Sequence, residues 1–106
     1  MSLNRKMSDK HEADLAEVLD GRVMPGSGNQ FNNQMDVRVD DIRLALDGKS
    51  TRGKSISITR EMIDKAREQS QGYTPAIALR FYEDDRLKHA DDWVLVPLDY
   101  LVGLVE

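Results

Sequence analysis

Two short stretches in the middle of the chain alternate between apolar and polar residues, as half-buried strands do. They cover residues 35–39 and 42–49, and the acidic pair at 40–41 lies between them. In the second stretch, Leu44 and Leu46 project from one face of an extended chain and would enter a core. The pattern predicts two strands that pair as a hairpin through an Asp-Asp turn.

Apolar residues at helical spacing predict two helices. The first is expected to begin at a Ser8 cap and to run to about Asp20, with Gly21 ending it. The second is expected to begin at a Thr59 cap and to end at Gly72. The residues expected to face inward are Leu15, Val18 and Leu19 in the first helix and Met62, Ile63 and Ala66 in the second.

The rest of the chain supplies further extended segments. Residues 54–58 alternate and predict a third strand or an extended entry to the second helix, and residues 75–82 predict another strand. Residues 93–96 are apolar on both faces, which predicts a covered strand, and a short helix capped by Asp99 follows. The turn-rich stretch 25–34 predicts a mobile loop. This order of elements favours an α/β fold with a central mixed β-sheet flanked by helices.

Length and composition bound the class of protein. A chain of 106 residues with 40 % hydrophobic and 32 % charged residues is typical of one globular domain. We expect residues 1–7 to be a disordered leader and residues 8–106 to form that domain. No apolar stretch approaches the roughly 20 residues that span a bilayer, so no membrane partner is expected. The absence of cysteine excludes thiolate metal sites and fits a reducing, intracellular setting.

The charge of the chain is unevenly distributed. A net charge of -4 argues against a protein that simply coats DNA through many phosphate contacts. Residues 49–67 carry six basic and two acidic residues, whereas residues 83–106 carry two basic and seven acidic residues. One part of the chain could therefore meet a polyanion while another stays away from it, or both could be ordinary solvated surfaces.

The candidate chemistry lies on the predicted hairpin. Asp47 and Lys49 project from the face opposite the leucines, and Asp36 lies on the neighbouring strand, so the two carboxylates can converge on a cation. A third acid is expected from the first helix. Glu12 shares a face with the apolar stripe, whereas Glu17 lies on the opposite side, so Glu12 is the candidate. The alternative is that Asp47 and Lys49 are ordinary strand residues and that Glu12 reaches water.

These residues carry a resemblance to a known family. Glu12 on a helix, the loop Pro25-Gly26-Ser27-Gly28, Asp36, and the run Asp47-Gly48-Lys49-Ser50 form a pattern. It resembles the archaeal and phage Holliday junction resolvase branch of the PD-(D/E)xK nuclease superfamily. Met35 stands where that branch usually has proline, and Asp47 where it commonly has glutamate.

The resemblance implies a restriction-endonuclease-like core and a Mg²⁺-dependent endonuclease that cuts branched DNA, with Mn²⁺ as a substitute metal. It implies a homodimer in the cytoplasm of a prokaryote or of a phage-infected cell. The implied catalytic residues are Glu12, Asp36, Asp47 and Lys49. The implied metal ligands are Glu12, Asp36, Asp47 and the carbonyl of Gly48. The candidates for contacts with DNA are Arg22, Ser27, Gly28, Asn29, Arg52 and Lys54.

Two other functions remain compatible with the sequence. One is a catalytically silent DNA-binding or assembly domain that keeps the nuclease fold. The other is a small acidic α/β interaction module whose aspartates are turn and strand-end residues.

Overall fold

A computed structural model describes residues 2–25 and 35–106. The elements in chain order are α1 (Leu3–Leu19), β1 (Arg22–Val23), β2 (Val37–Val39), a 3₁₀ turn (Asp40–Ile42), β3 (Leu44–Thr51), α2 (Arg60–Gln69), β4 (Thr74–Tyr82), β5 (Ala90–Leu95) and α3 (Leu98–Val105). The strands form one sheet in the order β1-β2-β3-β4-β5. β3 and β4 are parallel and the other neighbouring pairs are antiparallel. The predicted α/β fold with a mixed sheet and flanking helices is confirmed.

Helix α1 begins six residues before the predicted cap. The Ser2 hydroxyl accepts a hydrogen bond from the Arg5 amide at 3.2 Å, so Ser2 is the cap rather than Ser8. Met7 is 3 % exposed, and its carbonyl accepts a hydrogen bond from the Tyr82 hydroxyl at 2.9 Å. The prediction of a disordered leader is therefore wrong for residues 2–7, because the sheet covers the first turns of the helix.

The buried face of α1 also differs from the predicted stripe. Met7, His11 and Leu15 are buried at a spacing of four residues. Val18 is 81 % exposed, so its predicted inward position is wrong. The buried face of α1 therefore runs through Met7, His11 and Leu15 and leaves Val18 outside it.

Helix α1 ends close to strand β2. Asp20 is the left-handed cap residue, with φ of 55°, and Gly21 follows it. A Cβ atom at Gly21 would lie 2.6 Å from the Arg38 carbonyl oxygen. Glycine is therefore required after the helix by the close approach of β2.

The central hairpin forms as predicted. The 3₁₀ turn and Arg43, which has φ of 51°, join β2 to β3. The register pairs Val37 with Leu46, and both side chains are fully buried. Asp36 immediately precedes the first of these residues and Asp47 immediately follows the second, so hydrophobic alternation places the two carboxylates at neighbouring positions.

The second helix forms the crossover between parallel strands. The Thr59 hydroxyl accepts a hydrogen bond from the Met62 amide at 3.2 Å, which confirms the predicted cap. Residues 54–58 form no strand and lead directly into α2. The helix then connects β3 to the parallel strand β4, as such connections require.

The helices cover two apolar faces of the sheet. One core cluster consists of Leu15, Val37, Val39, Leu44, Leu46, Ala76 and Ala78, with Ala16, Leu19, Val96 and Tyr100 packed against it. The other consists of Met35, Ala45, Ala66 and Ile77, with Ile58, Ile63, Tyr73 and Leu79 against it. The sheet thus has α1 on one face and α2 on the other, and the hairpin lies between them.

Strand β5 is not covered as predicted. All six of its residues are exposed, and Trp93 is 62 % exposed. Strand β5 is the last strand of the sheet, and its residues 93–95 are apolar and exposed, whereas Val96 packs against the first core cluster. Helix α3 follows Pro97 without a side-chain cap, so the predicted Asp99 cap is wrong.

Candidate functional site

The two hairpin carboxylates are linked through the backbone of β3. The Gly48 amide donates a hydrogen bond to Asp36 Oδ2 at 2.8 Å. Gly48 directly follows Asp47, so this bond fixes the Asp36 carboxylate beside the residue that carries the second acid. The hairpin register and this single hydrogen bond together set the positions of both groups.

Electrostatic coupling shows that a third acid lies in the same neighbourhood. The pKa of Asp36 is raised to about 7, mainly by burial, with smaller contributions from Asp47 and then Glu12 and an opposing effect of the hydrogen bond from the Gly48 amide. Glu12 comes from α1, as the helical phase predicted. Asp47 and Glu12 therefore lie close enough to Asp36 to disfavour its ionised form, although burial is the larger cause.

The predicted lysine lies next to this cluster. Lys49 Nζ is 3.2 Å from Asp47 Oδ2, and both side chains are about one-third exposed, at 38 % and 29 %. The ammonium group and the carboxylate lie on one side of β3, as expected from their spacing of two residues. Both groups remain accessible to a substrate that approaches from solvent.

His11 lies beside Gly48 and Asp36 and is not among the site residues predicted from the sequence. It is 1 % exposed, and its Nε2 atom has no hydrogen-bond partner in the part of the chain that the structure describes. A Cβ atom on Gly48 would come within 3.3 Å of His11 Nδ1 and 3.6 Å of Asp36 Oδ2. Burial, with a smaller effect from the charge of Arg80, lowers the pKa of His11 to about 4, so the ring is neutral near pH 7. The spacing of Met7, His11 and Leu15 was the signal that could have revealed this packing.

Arg80 of β4 anchors helix α1 to the sheet near His11. Its guanidinium is bidentate on Asp92 of β5, with distances of 2.6 and 2.9 Å, and it also donates to Asp14 of α1 at 2.6 Å. Arg80 is 7 % exposed, and its acidic partners raise its pKa further. This network holds the helix that carries Glu12 against the sheet, and nothing in the local sequence around Arg80 predicted it.

The carboxylates around Asp36 are of the type that binds a hard divalent cation, although they are not arranged as a complete metal site. Among residues 2–25 and 35–106, no three His, Cys, Asp or Glu side chains have the arrangement of a metal site. The nearby donors are nevertheless carboxylate oxygens, the ligand type that Mg²⁺ prefers, and Mg²⁺ needs only one or two of them because it keeps several waters. A cation would also relieve the repulsion that raises the pKa of Asp36. The residues present therefore fit the implied metal by chemistry.

The structure describes three of the six predicted DNA contacts. Ser27, Gly28 and Asn29 lie outside the described residues, as does most of the predicted 25–34 loop. Arg22 forms an ion pair with Asp40 at 3.1 Å, and Arg52 forms one with Asp85, while Lys54 is exposed. The ion pair between Arg52 and Asp85 joins the basic segment 49–67 to the acidic segment 83–106. The charge pattern alone had indicated two separate surfaces.

In metal-free buffer, Asp36→Asn should stabilise the protein above pH 7 and leave it unchanged near pH 4. A carboxyl with a raised pKa stays protonated in the folded protein while the unfolded chain ionises, so the wild type loses stability as the pH rises from about 4 to about 7. We expect a difference of about 2 kcal/mol at pH 8, since one pKa unit is about 1.36 kcal/mol and the half-buried group keeps some contact with water.

Urea unfolding at pH 4, 6 and 8 in the presence of a chelator measures this difference. Asp41→Asn, at an exposed position in the hairpin turn, is the matched control and should show no such trend. If the free energy of unfolding differs between Asp36→Asn and the wild type by the same amount at all three pH values, the raised pKa of Asp36 is contradicted.

Comparisons of the chain with family models, with curated proteins and with solved structures gave no significant match. Within the described ranges, none of the helices combines the length and the apolar character needed to cross a bilayer.

Proposed function

We propose that this protein is a Mg²⁺-dependent endonuclease that hydrolyses phosphodiester bonds in DNA. The observation that carries the proposal is the interaction of Asp36, which immediately precedes β2, with Asp47 of β3 and Glu12 of α1, next to the ammonium group of Lys49. The pKa of Asp36 is raised to about 7, mainly by burial and further by these two acids, and a perturbed carboxyl group in a cluster of acids is typical of functional sites. Such a cluster is expected where a cation and a phosphate are to be bound.

The topology supports a restriction-endonuclease-like core. Helix α1 is followed by the antiparallel meander β1-β2-β3, then by the crossover helix α2 and the parallel strand β4. The resemblance to the resolvase branch implies this order, with a helix that supplies an acid, a meander that holds the signature and a crossover helix after it. The same resemblance favours a cytoplasmic protein.

Each residue of the cluster has a role in the proposed reaction. A bound divalent cation supplies positive charge at the phosphate and lowers the pKa of a bound water. Asp36 and Asp47 would hold the cation with Glu12, and the Gly48 amide orients Asp36 for this. Lys49 is placed to orient the attacking water or to stabilise the charge that develops on the phosphate.

We further propose branched DNA, such as a four-way junction, as the substrate. The residues of the cluster specify a phosphodiester, and the preference for branched DNA follows from the resemblance. The test is a nicking assay on a labelled four-way junction and on a linear duplex of the same sequence, each with Mg²⁺, with Mn²⁺ and with a chelator.

The expected result is metal-dependent nicking of the junction. Metal-dependent cutting of the linear duplex at an equal rate would overturn the branched substrate but keep the endonuclease. Binding of either DNA by a protein that never cuts would replace the enzyme with a catalytically silent DNA-binding domain. If the protein neither binds nor cuts DNA, the acidic interaction module is the remaining candidate.

The apolar face formed by β5 and α3 supports the proposed homodimer. Its large exposed residues are Trp93, Val94, Leu95, Leu98, Leu101, Val102, Leu104 and Val105. Monomeric proteins rarely expose apolar patches of more than a few hundred Å², and a stable interface buries about 800 Å² per partner. β5 ends the sheet, so two copies related by a two-fold axis could pair their β5 strands and pack their α3 helices together.

Leu104→Glu should dissociate the dimer. Leu104 is 66 % exposed on α3, and a carboxylate there would be buried without a partner in a two-fold interface. We expect the dimer dissociation constant to rise by about 100-fold, the equivalent of about 3 kcal/mol. Analytical ultracentrifugation measures it.

Val18→Glu is the matched control, since Val18 is also an exposed apolar residue but lies on α1. It should leave the dimer unchanged. A Leu104→Glu variant that sediments as the wild type does would place the dimer interface elsewhere.

A further inference from the structure

Three arginines and a tyrosine meet near the turn of the central hairpin. Arg22 and Arg38 are directly opposite each other on β1 and β2. The guanidinium carbon of Arg38 lies 4.9 Å from the centre of the Tyr73 ring, and that of Arg43 lies 5.0 Å from it. At these distances both cations are attracted by the ring, which holds them near one another despite their like charges.

Asp40 organises one side of this cluster. It accepts a hydrogen bond from the Tyr73 hydroxyl at 2.5 Å and one from Arg22 Nε at 3.1 Å. Donation from Tyr73, with Arg22, keeps the pKa of Asp40 below its usual range, so this carboxylate is charged. Asp40 thus neutralises Arg22 and fixes the tyrosine ring.

The other two arginines keep their charges unneutralised. Neither Arg38 nor Arg43 forms an ion pair among the described residues, and residues 26–34 contain no acid that could provide one. Arg38 donates one hydrogen bond to Gln71, while its Nε is buried without a partner in the described part of the chain. The charge of Arg38 acts on Asp40, but that carboxylate already forms an ion pair with Arg22, so one carboxylate is shared among several arginines.

We propose that Arg38 and Arg43, supported on the Tyr73 ring, form a phosphate-binding site for the backbone of a nucleic acid. The planar guanidinium group matches the oxygens of a phosphate through paired N–H donors. The site adjoins the carboxylate cluster, because Arg38 lies two residues from Asp36 and Arg43 lies four residues from Asp47. These separations correspond to about 7 and 13 Å along a strand.

The position of the site identifies the source of the phosphate as the DNA substrate itself. A strand whose scissile phosphate lies at Asp36 and Asp47 would extend across the hairpin to the arginines. This assignment rests on the proposed endonuclease function, whereas the binding of phosphate by the arginines does not. Among the basic residues predicted to contact DNA, Arg22 and Arg52 have carboxylate partners.

The test is DNA binding without divalent metal, so that no cleavage occurs. Fluorescence anisotropy of a labelled duplex and of a labelled four-way junction is measured at several salt concentrations for the full chain, for R38Q and for R43Q. Each variant should weaken binding by about five- to tenfold and should reduce the slope of log K against log salt by about 0.9, as expected for the loss of one phosphate contact.

R60Q is the matched control. Arg60 is an exposed arginine on α2 with Asp64 as its partner, so this variant changes the net charge equally. It should bind DNA within twofold of the wild type. Tyr73→Leu should weaken binding, because it removes the ring that lies beside both guanidinium groups. Thermal melts verify that each variant is folded.

The proposal is overturned if R38Q and R43Q bind with the same salt slope as R60Q, or if the wild type does not bind DNA. Titrations with inorganic phosphate and with poly-glutamate test whether the site binds anions other than DNA. One further outcome is that phosphate or poly-glutamate binds in a way that depends on Arg38 and Arg43 while the salt slope of DNA binding is the same in the variants as in the wild type. That result would assign the site to a free phosphate or to an acidic peptide and overturn the nucleic-acid assignment.

The two proposals can fail separately. A wild type that binds DNA through Arg38 and Arg43 but never nicks it would refute the endonuclease and keep the phosphate site. If the wild type nicks DNA, and neither R38Q nor R43Q changes the salt slope of DNA binding, the endonuclease proposal stands and the phosphate site is refuted.

Discussion

Asp47→Ala should lower the rate of Mg²⁺-dependent DNA nicking by about a thousandfold or more. Asp47 interacts with Asp36 and lies 3.2 Å from Lys49, so its loss removes a cation ligand and the partner of the ammonium group together. Charge stabilisation by a bound cation is worth several kcal/mol, and about 4 kcal/mol corresponds to a thousandfold in rate. The measurement is the single-turnover rate of nicking on a labelled four-way junction.

Lys49→Ala should reduce the same rate by a similar factor while leaving metal binding in place. A second measurement separates the two variants: Mn²⁺ should raise the melting temperature of the wild type and of Lys49→Ala, because a ligand stabilises the state that binds it. It should not raise that of Asp47→Ala.

Glu17→Ala is the control for both variants, since Glu17 is an exposed acid on α1. It should retain the wild-type rate. Nicking that survives Asp47→Ala unchanged, or that falls equally in Glu17→Ala, would remove the proposed site from the reaction.

Arg80→Met should destabilise the fold by about 3 kcal/mol. The loss of one partner of a buried ion pair costs about 3–5 kcal/mol, and we expect the lower end because Asp14 and Asp92 keep some access to water. For a domain of this size the melting temperature should fall by roughly 10–15 °C, measured by differential scanning calorimetry. Arg80→Lys should recover only part of the loss, since an ammonium group cannot make the bidentate contact with Asp92.

Arg60→Met is the matched control for this prediction. Arg60 lies on the surface, with an exposed partner in Asp64, so its removal should change the free energy of unfolding by less than about 0.5 kcal/mol. An Arg80→Met variant that melts within 3 °C of the wild type, a shift of roughly half a kcal/mol, would show that the network contributes little to stability.

Local patterns predicted the central part of this protein because their signals act over short distances. The alternation of residues 35–49 set the strand faces and the hairpin, and the Thr59 cap set the start of α2. Glu12 was selected as the third acid by helical phase alone, since phase relative to Leu15 depends only on spacing. The identity of the acids near Asp36 was therefore accessible without a structure.

Other features depend on what lies against each segment. The same spacing rule that selected Glu12 failed for Val18, which is 81 % exposed, because helical phase does not say what packs against the end of a helix. The run 93–96 was predicted to be covered from its apolar character, but residues 93–95 are exposed on the last strand of the sheet. Apolar composition indicates that a surface avoids water, and it does not say whether the same chain or a second copy covers it.

The sequence by itself determined the α/β fold, the hairpin and the neighbouring positions of Asp36 and Asp47, because hydrophobic alternation and capping are properties of neighbouring residues. Only the tertiary structure decided that Arg80 is buried between Asp14 and Asp92, that His11 packs against Gly48, and that Arg38 and Arg43 share the ring of Tyr73. These contacts join residues that are distant in the chain. Their energies arise from burial and from charges brought together by folding, and no local pattern encodes them.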